Sequence, residues 1–171
     1  MAERKSTQVT KRLAICSALT ALALIFSYVE VLIPFSFGVP GIKLGLANIV
    51  VLISIYALGP RYGLLINAAR IGLSALLFGN AFSVIYALAG GLVSFAVMLL
   101  TKRAKVFSVI GVSMAGGVFH NLGQLMVAAI VMQTSKIMYY FPVLLIAGMV
   151  TGILTGFVAT LVLRALRVKL N

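Results

Sequence analysis

The chain is a series of long apolar runs, separated by short gaps that contain Gly, Pro or basic residues. A helix needs about 20 mainly apolar residues to cross a hydrocarbon core about 30 Å thick, and six runs reach or approach that length. The pattern therefore predicts an all-α integral membrane protein, built as a six-transmembrane-helix bundle. The predicted helices are Leu13–Ile33, Leu44–Leu58, Tyr62–Phe78, Phe82–Leu100, Phe107–Met132 and Tyr139–Leu163.

The second apolar run is the shortest and follows a segment at 34–43 that is rich in Pro and Gly. Irregular backbone at membrane depth is tolerated only where protein covers it or water reaches it. We therefore expect residues 34–43 to form a structured outer loop packed over the bundle. The predicted organisation is a basic N-terminus at 1–12, one membrane domain at 13–163 and a basic C-terminus at 164–171.

The gap charges predict how the chain lies in the membrane. It has 14 Lys and Arg but only two Asp and Glu, which gives a net charge of +12. If the N-terminus is inside, 11 basic residues lie in the cytoplasm and two, Lys43 and Lys136, lie outside. Cytoplasmic loops are enriched in Lys and Arg. The charges therefore predict that both termini are cytoplasmic.

Composition narrows the class of protein further. Hydrophobic residues make up 63% of the chain and charged residues 9%, against about 25% charged in soluble domains. No soluble face remains for nucleic acid, so the basic excess does not indicate phosphate binding. The single cysteine, Cys16, allows no internal disulfide and no zinc-ligand spacing, and the single histidine excludes bis-histidine haem ligation. We expect no cofactor and no metal.

Two charges, Glu30 and Arg70, lie inside the apolar runs. A charge at the depth of Arg70 costs about 2.5–3.5 kcal/mol on insertion scales, so it should face the bundle interior and have a partner. Asn67 and Ser74 share its helical face. One interpretation is an Arg70–Glu30 pair that joins helices 1 and 3. The other is that one or both residues line a substrate pocket.

Further polar residues extend this candidate pocket. His120, Asn121 and Gln124 lie within one turn of helix 5, either as an interhelical hydrogen-bonding group or as the wall of a polar cavity. Asn48 could cap helix 2 and Lys43 could reach lipid headgroups, or both could point into an outward-facing cavity. A stripe on helix 4 contains Tyr86, with small neighbours suited to close packing. The predicted substrate-binding residues are Glu30, Lys43, Asn48, Asn67, Arg70, Tyr86, His120, Asn121 and Gln124.

Small residues at four-residue spacing predict close helix contacts. Ala14 and Ala18, with the neighbouring pair Ser17 and Ala21, give helix 1 a flat face suited to a partner helix. The stripe Gly148, Gly152 and Gly156 and the pair Gly116-Gly117 predict tight contacts within the bundle.

Three strings in order carry a resemblance to a known family: GIKLGLANIV at 41–50, RIGLSALLFGNAFSVIYALAGGLVSF at 70–95 and GVFHNLGQL at 117–125. Together they resemble the bacterial Gx transporter family, also labelled heptaprenyl diphosphate synthase component I. That family in turn resembles the S components of energy-coupling factor transporters. The resemblance implies a bacterial cytoplasmic membrane location, six helices, both termini inside and a ligand site that opens outward.

The same resemblance implies partners. In such transporters the small-residue motif of helix 1, matched here by Ala14 and Ala18, meets a transmembrane coupling subunit that joins two ATPases. This chain has no Walker motif, so any ATP would be hydrolysed by those partners. It also contains no aspartate, whereas prenyl diphosphate synthases hold Mg²⁺ through aspartate-rich motifs. We therefore expect a non-enzymatic subunit.

The leading hypothesis is an S-component-like membrane subunit that captures a small molecule, with the segment 34–43 as a lid. The alternative is a non-transporting membrane scaffold or anchor for a prenyl-lipid or redox assembly. A third interpretation, a membrane enzyme that uses His120 and Glu30 as an acid–base pair, has no nucleophile or metal cluster to support it. The sequence does not name the substrate.

Overall fold

The computed structural model describes residues 2–32, 45–79 and 81–168, with side chains from Gln8 onward. The predicted loop at 34–43, including Lys43, lies outside these residues. The described chain is helical: six α-helices and one short 3₁₀ helix, Ser135–Tyr140. The α-helices are α1 (Ala2–Leu32), α2 (Asn48–Ala57), α3 (Pro60–Phe78), α4 (Ala81–Ala104), α5 (Val109–Val131) and α6 (Phe141–Ala165).

Two helix starts differ from the prediction by four residues or more. Helix α1 begins at Ala2 rather than Leu13, because the charged and polar residues before the apolar run are themselves adequate helix formers. Helix α2 begins at Asn48 rather than Leu44, because Gly45 has a φ of 83° and the chain turns at Leu46 and Ala47. The apolar runs marked the hydrophobic parts of these helices and not their ends.

Helix α2 forms the centre of the bundle. Its residues from Asn48 to Ile55 are all buried, and it contacts each of the other five α-helices. A helix that is apolar all round needs protein on every side, and α2 has it. At about 1.5 Å per residue it is only about 15 Å long, roughly half of a hydrocarbon core.

Four of the described helical segments are long and apolar enough to cross a membrane: Gln8–Leu32, Ala81–Ala104, Val109–Val131 and Ser135–Ala165. Helix α3 has 19 residues but carries the buried Arg70 and Asn67. The described chain is thus an all-helical bundle whose length and composition suit a multi-pass membrane protein.

Glycines bring α5 and α6 into backbone contact. A Cβ built on Gly152 would lie 2.5 Å from the Cα of Met114, and one on Gly156 would lie 2.8 Å from the Cα of Ile110. Gly148 faces the backbone of Gly117 in the same way. The tight contacts predicted from the glycine stripe are confirmed.

Basic side chains meet at one end of the bundle, which we call the basic end. The Arg12 guanidinium lies 6.0 Å from the centroid of the Tyr62 ring, so the early part of α1 adjoins the start of α3. Lys102, at the end of α4, places its Nζ 4.2 Å from the centroid of the Tyr56 ring and donates to the Ile55 carbonyl at 2.7 Å. The ends of α2 and α4 therefore meet there as well.

Candidate functional site

A buried arginine connects three helices near the start of α2. Arg70 is only 4% exposed. Its Nε donates to Asn67 Oδ1 at 3.0 Å, and its two terminal nitrogens donate to Ser27 Oγ at 3.5 Å and Asn48 Oδ1 at 3.4 Å. These acceptors, all among the described residues, are neutral. The two hydrogen bonds made by the terminal nitrogens are long.

Glu30 holds the turn before α2. Its Oε1 accepts a hydrogen bond from the Leu46 backbone N–H at 2.6 Å, and its charge acts on Arg70 through space. The direct hydrogen-bond connection between α1 and α3 is made by Ser27, one turn before Glu30. Ser27 was not among the predicted site residues, although its i−3 spacing from Glu30 on an apolar helix was an available signal.

Asn48 does not cap α2, so that alternative from the sequence is wrong. The residue before the helix is Ala47, and no side chain caps the helix start. Asn48 lies inside the first turn, is 8% exposed, and uses its Oδ1 to accept from Arg70. Its Nδ2 has no hydrogen-bond partner within the described part of the chain.

Asn67 positions the guanidinium. Its Nδ2 donates to the Gly91 carbonyl of α4 at 3.1 Å, which leaves its Oδ1 to accept from Arg70. A Cβ on Gly91 would lie 3.3 Å from Asn67 Nδ2, so the glycine permits this close approach. The predicted polar stripe of α3 is thus connected to α1, α2 and α4.

The polar residues of α5 divide into two groups. His120 Nε2 and Gln124 Nε2 are 2.7 Å apart, an arrangement in which the amide donates to the ring nitrogen. Asn121 instead faces α6, where its Nδ2 donates to the Leu144 carbonyl at 2.8 Å. The structure therefore brings His120 and Gln124 together and directs Asn121 to a different neighbour.

Two glycines let the His120 ring lie close to the residues that bind Arg70. A Cβ on Gly90 would lie 2.9 Å from both Cε1 and Nδ1 of His120. A Cβ on Gly45 would lie 2.9 Å from His120 Cδ2 and 3.0 Å from Asn48 Nδ2. Gly45 is therefore packed between Asn48, which bonds to Arg70, and His120, which bonds to Gln124. The side chains around Arg70 and the His120–Gln124 pair thus form one polar cluster. We use the name polar cluster for Ser27, Asn48, Asn67, Arg70, His120 and Gln124.

Two of the remaining predicted site residues can be placed, and one cannot. Tyr86 is buried among apolar residues that include Leu125 and Leu144, so it lies in the packed core of α4 and α5. Asn121 is buried at the α5–α6 contact. Lys43 is not among the described residues. The predicted partner-facing residues Ala14, Ala18 and Ala21 are all exposed on α1.

A family model described as heptaprenyl diphosphate synthase component I matches residues 19–162. The chain belongs to this family. The match spans every helix that contributes to the polar cluster. No curated protein and no solved structure matches the chain.

Membership in the heptaprenyl diphosphate synthase component I family agrees with the resemblance carried by the three strings. The family description names a component of a synthase. The long apolar helices of the described chain fit a membrane protein of this family. Within the described residues no three His, Cys, Asp or Glu side chains come together as a group that could hold a metal ion.

Proposed function

We propose that this chain is the substrate-binding membrane subunit of an importer of the energy-coupling factor type, and that it captures a small molecule at the polar cluster. The observation that carries the proposal is the buried Arg70, held at Nε but only weakly bonded at its terminal nitrogens. The proposed location is the bacterial cytoplasmic membrane, with both termini in the cytoplasm and the ligand entering from the outer face.

The hydrogen bonds of Arg70 favour a ligand role. Burying a charge costs several kcal/mol unless strong partners compensate it. The Nε bond to Asn67 fixes the orientation of the guanidinium, while the bonds of 3.4 and 3.5 Å at the terminal nitrogens are close to the limit for a hydrogen bond. An anionic group that replaced Ser27 and Asn48 as the acceptor would form shorter hydrogen bonds with these nitrogens.

This geometry indicates the chemical class of the substrate. A guanidinium binds carboxylate or phosphate with two parallel hydrogen bonds. Asn48 contacts one terminal nitrogen of Arg70 through its Oδ1, and its Nδ2 supplies a further donor beside the guanidinium. We therefore propose a small molecule with a carboxylate or phosphate group. His120 and Gln124 lie next to this site and would contact the rest of the ligand.

We also propose that the chain is not an enzyme and works with partners. The sequence contains no aspartate, so it lacks the acidic motifs that hold Mg²⁺ for prenyl transfer. The exposed alanines of α1, Ala14, Ala18 and Ala21, offer a flat face for a transmembrane coupling subunit. That subunit would join the chain to two ATPases.

Native mass spectrometry of the purified chain tests the substrate proposal. We expect a retained small molecule that carries a carboxylate or phosphate, and we expect Arg70→Met to lose it. Arg103→Met is the matched control, because Arg103 is an exposed arginine at the far end of α4. Asn48→Leu, a second variant of similar volume, should also lower retention. Equal retention in Arg70→Met, Asn48→Leu and the unmodified chain would exclude the polar cluster as the site.

Co-purification separates transport from the scaffold alternative. The importer proposal expects the tagged chain to recover a membrane coupling subunit together with ATPases. Substituting Ala18 by Leu, which adds volume to the alanine face, should reduce that recovery without changing ligand retention. Recovery of a soluble synthase or redox protein instead, insensitive to this change, would favour the scaffold.

A further inference from the structure

A groove runs along the outside of the bundle between α1 and α3, separate from the polar cluster. Its volume is about 490 Å³, and its walls are mostly apolar. On α3 the groove is lined by Leu65, Ala69 and Leu73, which point away from the face that carries Asn67 and Arg70. The α1 wall consists of Leu13, Cys16, Ser17, Thr20, Ala21 and Leu24.

The groove has a cationic end. Beyond Leu13 and Tyr62, which line both spaces, it adjoins a second depression bounded by Gln8, Val9 and Arg12. Arg12 stacks toward the Tyr62 ring at this junction, 6.0 Å from its centroid. Arg61 precedes Tyr62 and is also exposed. An apolar channel thus leads directly to positive charge at the basic end.

The dimensions suit a lipid chain better than a helix. From Leu13 to Leu24 the groove runs for about 16 Å along α1, close to half of a hydrocarbon core about 30 Å thick. A helix about 10 Å wide would fill more than about 1,200 Å³ over that length. The groove is smaller than that, so part of a docked helix would stand outside it. One extended acyl chain of a single leaflet matches its length.

We propose that this groove binds one acyl chain of a phospholipid with a net negative headgroup, and that Arg12 contacts the headgroup phosphate. The apolar walls hold the chain, and the basic end selects the charge. The site does not depend on the proposed substrate at the polar cluster. It adjoins the alanine face, because Ala21 lines the groove whereas Ala14 and Ala18 do not.

Competitive lipid binding to the full-length chain tests this proposal. The purified protein is incubated with equal amounts of dioleoyl phosphatidylglycerol and dioleoyl phosphatidylcholine, and retained lipid is counted by native mass spectrometry. We expect the anionic lipid to be retained preferentially. Arg12→Gln should reduce that preference about fivefold, the effect of about one basic residue at an anionic surface. Arg103→Gln, which removes a basic residue outside the groove, should leave it unchanged.

A second pair of variants tests the groove itself. Ala69→Leu fills the α3 wall and should reduce retention of both lipids, whereas Ala68→Leu adds the same side chain to an exposed position that does not line the groove. Equal retention of the two lipids by the unmodified chain would overturn the proposed charge selection. Unchanged lipid retention in Ala69→Leu would overturn the proposed groove, and so would a lipid-free dimer in the mass spectrum.

The single cysteine gives an independent readout that does not need a mass measurement. Cys16 lines the groove and is a free thiol, so no other cysteine has to be removed. We expect N-ethylmaleimide to modify it more slowly after phosphatidylglycerol is added to lipid-depleted micelles. Ala69→Leu should abolish this protection. Labelling at the same rate with and without lipid would contradict occupancy of the groove.

Discussion

At the scale of single residues, the position of Arg70 is more informative than its partners. Its hydrogen bonds within the described chain go to neutral groups, while Glu30 is engaged with the backbone of Leu46. A bidentate carboxylate is the strongest partner for an arginine, and the described hydrogen bonds of Arg70 do not include one. The observed arrangement keeps a buried positive charge oriented by Asn67 and open to a better acceptor.

Stability measurements on Arg70→Met distinguish these roles. Arg70→Met removes the cost of burying a charge, but it leaves the Oδ1 atoms of Asn67 and Asn48 without their donor. We expect the free energy of unfolding in detergent to change by no more than about 1 kcal/mol, because the lost hydrogen bonds and the removed charge offset each other. A loss of several kcal/mol would instead assign Arg70 a structural role.

Lys102 is a second residue with a defined structural role, although its charge alone predicted only the orientation of the chain in the membrane. Its ammonium donates to the Ile55 carbonyl near the C-terminal end of α2, where a helix favours positive charge, and it lies over the Tyr56 ring. We expect Lys102→Met to lower the free energy of unfolding by about 1–2 kcal/mol. Chemical denaturation should show no comparable change for Arg103→Met, whose side chain is exposed.

At the scale of elements, the glycine stripe of α6 determines how close α5 and α6 can be. The nearest atoms to a Cβ on Gly152 belong to the backbone of Met114 and Ser113, which cannot rotate away as a side chain could. We expect Gly152→Ala to destabilise the bundle by about 1–3 kcal/mol. The control is Gly72→Ala on α3, where a Cβ meets no atom within 4 Å. We expect the Tm of Gly72→Ala to equal or slightly exceed that of the unmodified chain, because alanine favours a helix more than glycine does.

The elements also mark what the sequence could predict. Apolar runs located all six α-helices, and glycine spacing located the α5–α6 contact, because both depend on local periodicity. The runs did not give the true starts of α1 and α2. Helix propensity extends α1 through polar residues, and a left-handed glycine delays α2. Periodicity reports burial, whereas these ends depend on backbone conformation.

Within the candidate site, the sequence identified residue types better than their partners. Arg70, Asn67 and Asn48 were predicted to be near one another, and the structure connects them. Asn121 and Tyr86 were included because of helical spacing, but they contact α6 and the apolar core. His120 and Asn121 point about 100° apart around α5, but the sequence does not say which neighbouring helix lies in each direction.

At the scale of the whole molecule, the polar cluster joins helices that are distant in sequence, and Gly45 is where its two groups meet. We expect Gly45→Ala to reduce both ligand retention and stability, since an added Cβ would contact His120 and Asn48 in addition to straining a φ of 83°. Gly59→Ala separates these causes, because Gly59 has a φ of 101° but open space around it. Native mass spectrometry should show ligand loss in Gly45→Ala only. Equal loss in both variants would mean that backbone strain, and not contact of the added Cβ with His120 and Asn48, causes the lost retention.

The short central helix has an electrical consequence. The proposed topology puts the far end of α2 at the inner membrane boundary, so Asn48 and Arg70, about 15 Å away along α2, would lie roughly halfway through a hydrocarbon core. An anion that reaches this depth has crossed about half of the membrane potential, which is worth about 2.3 kcal/mol per elementary charge per 100 mV over the full thickness. The affinity of the proposed site for a monovalent anion would therefore change by about 1 kcal/mol for every 100 mV, and the membrane potential of an energised cell would influence both binding and release of the anion.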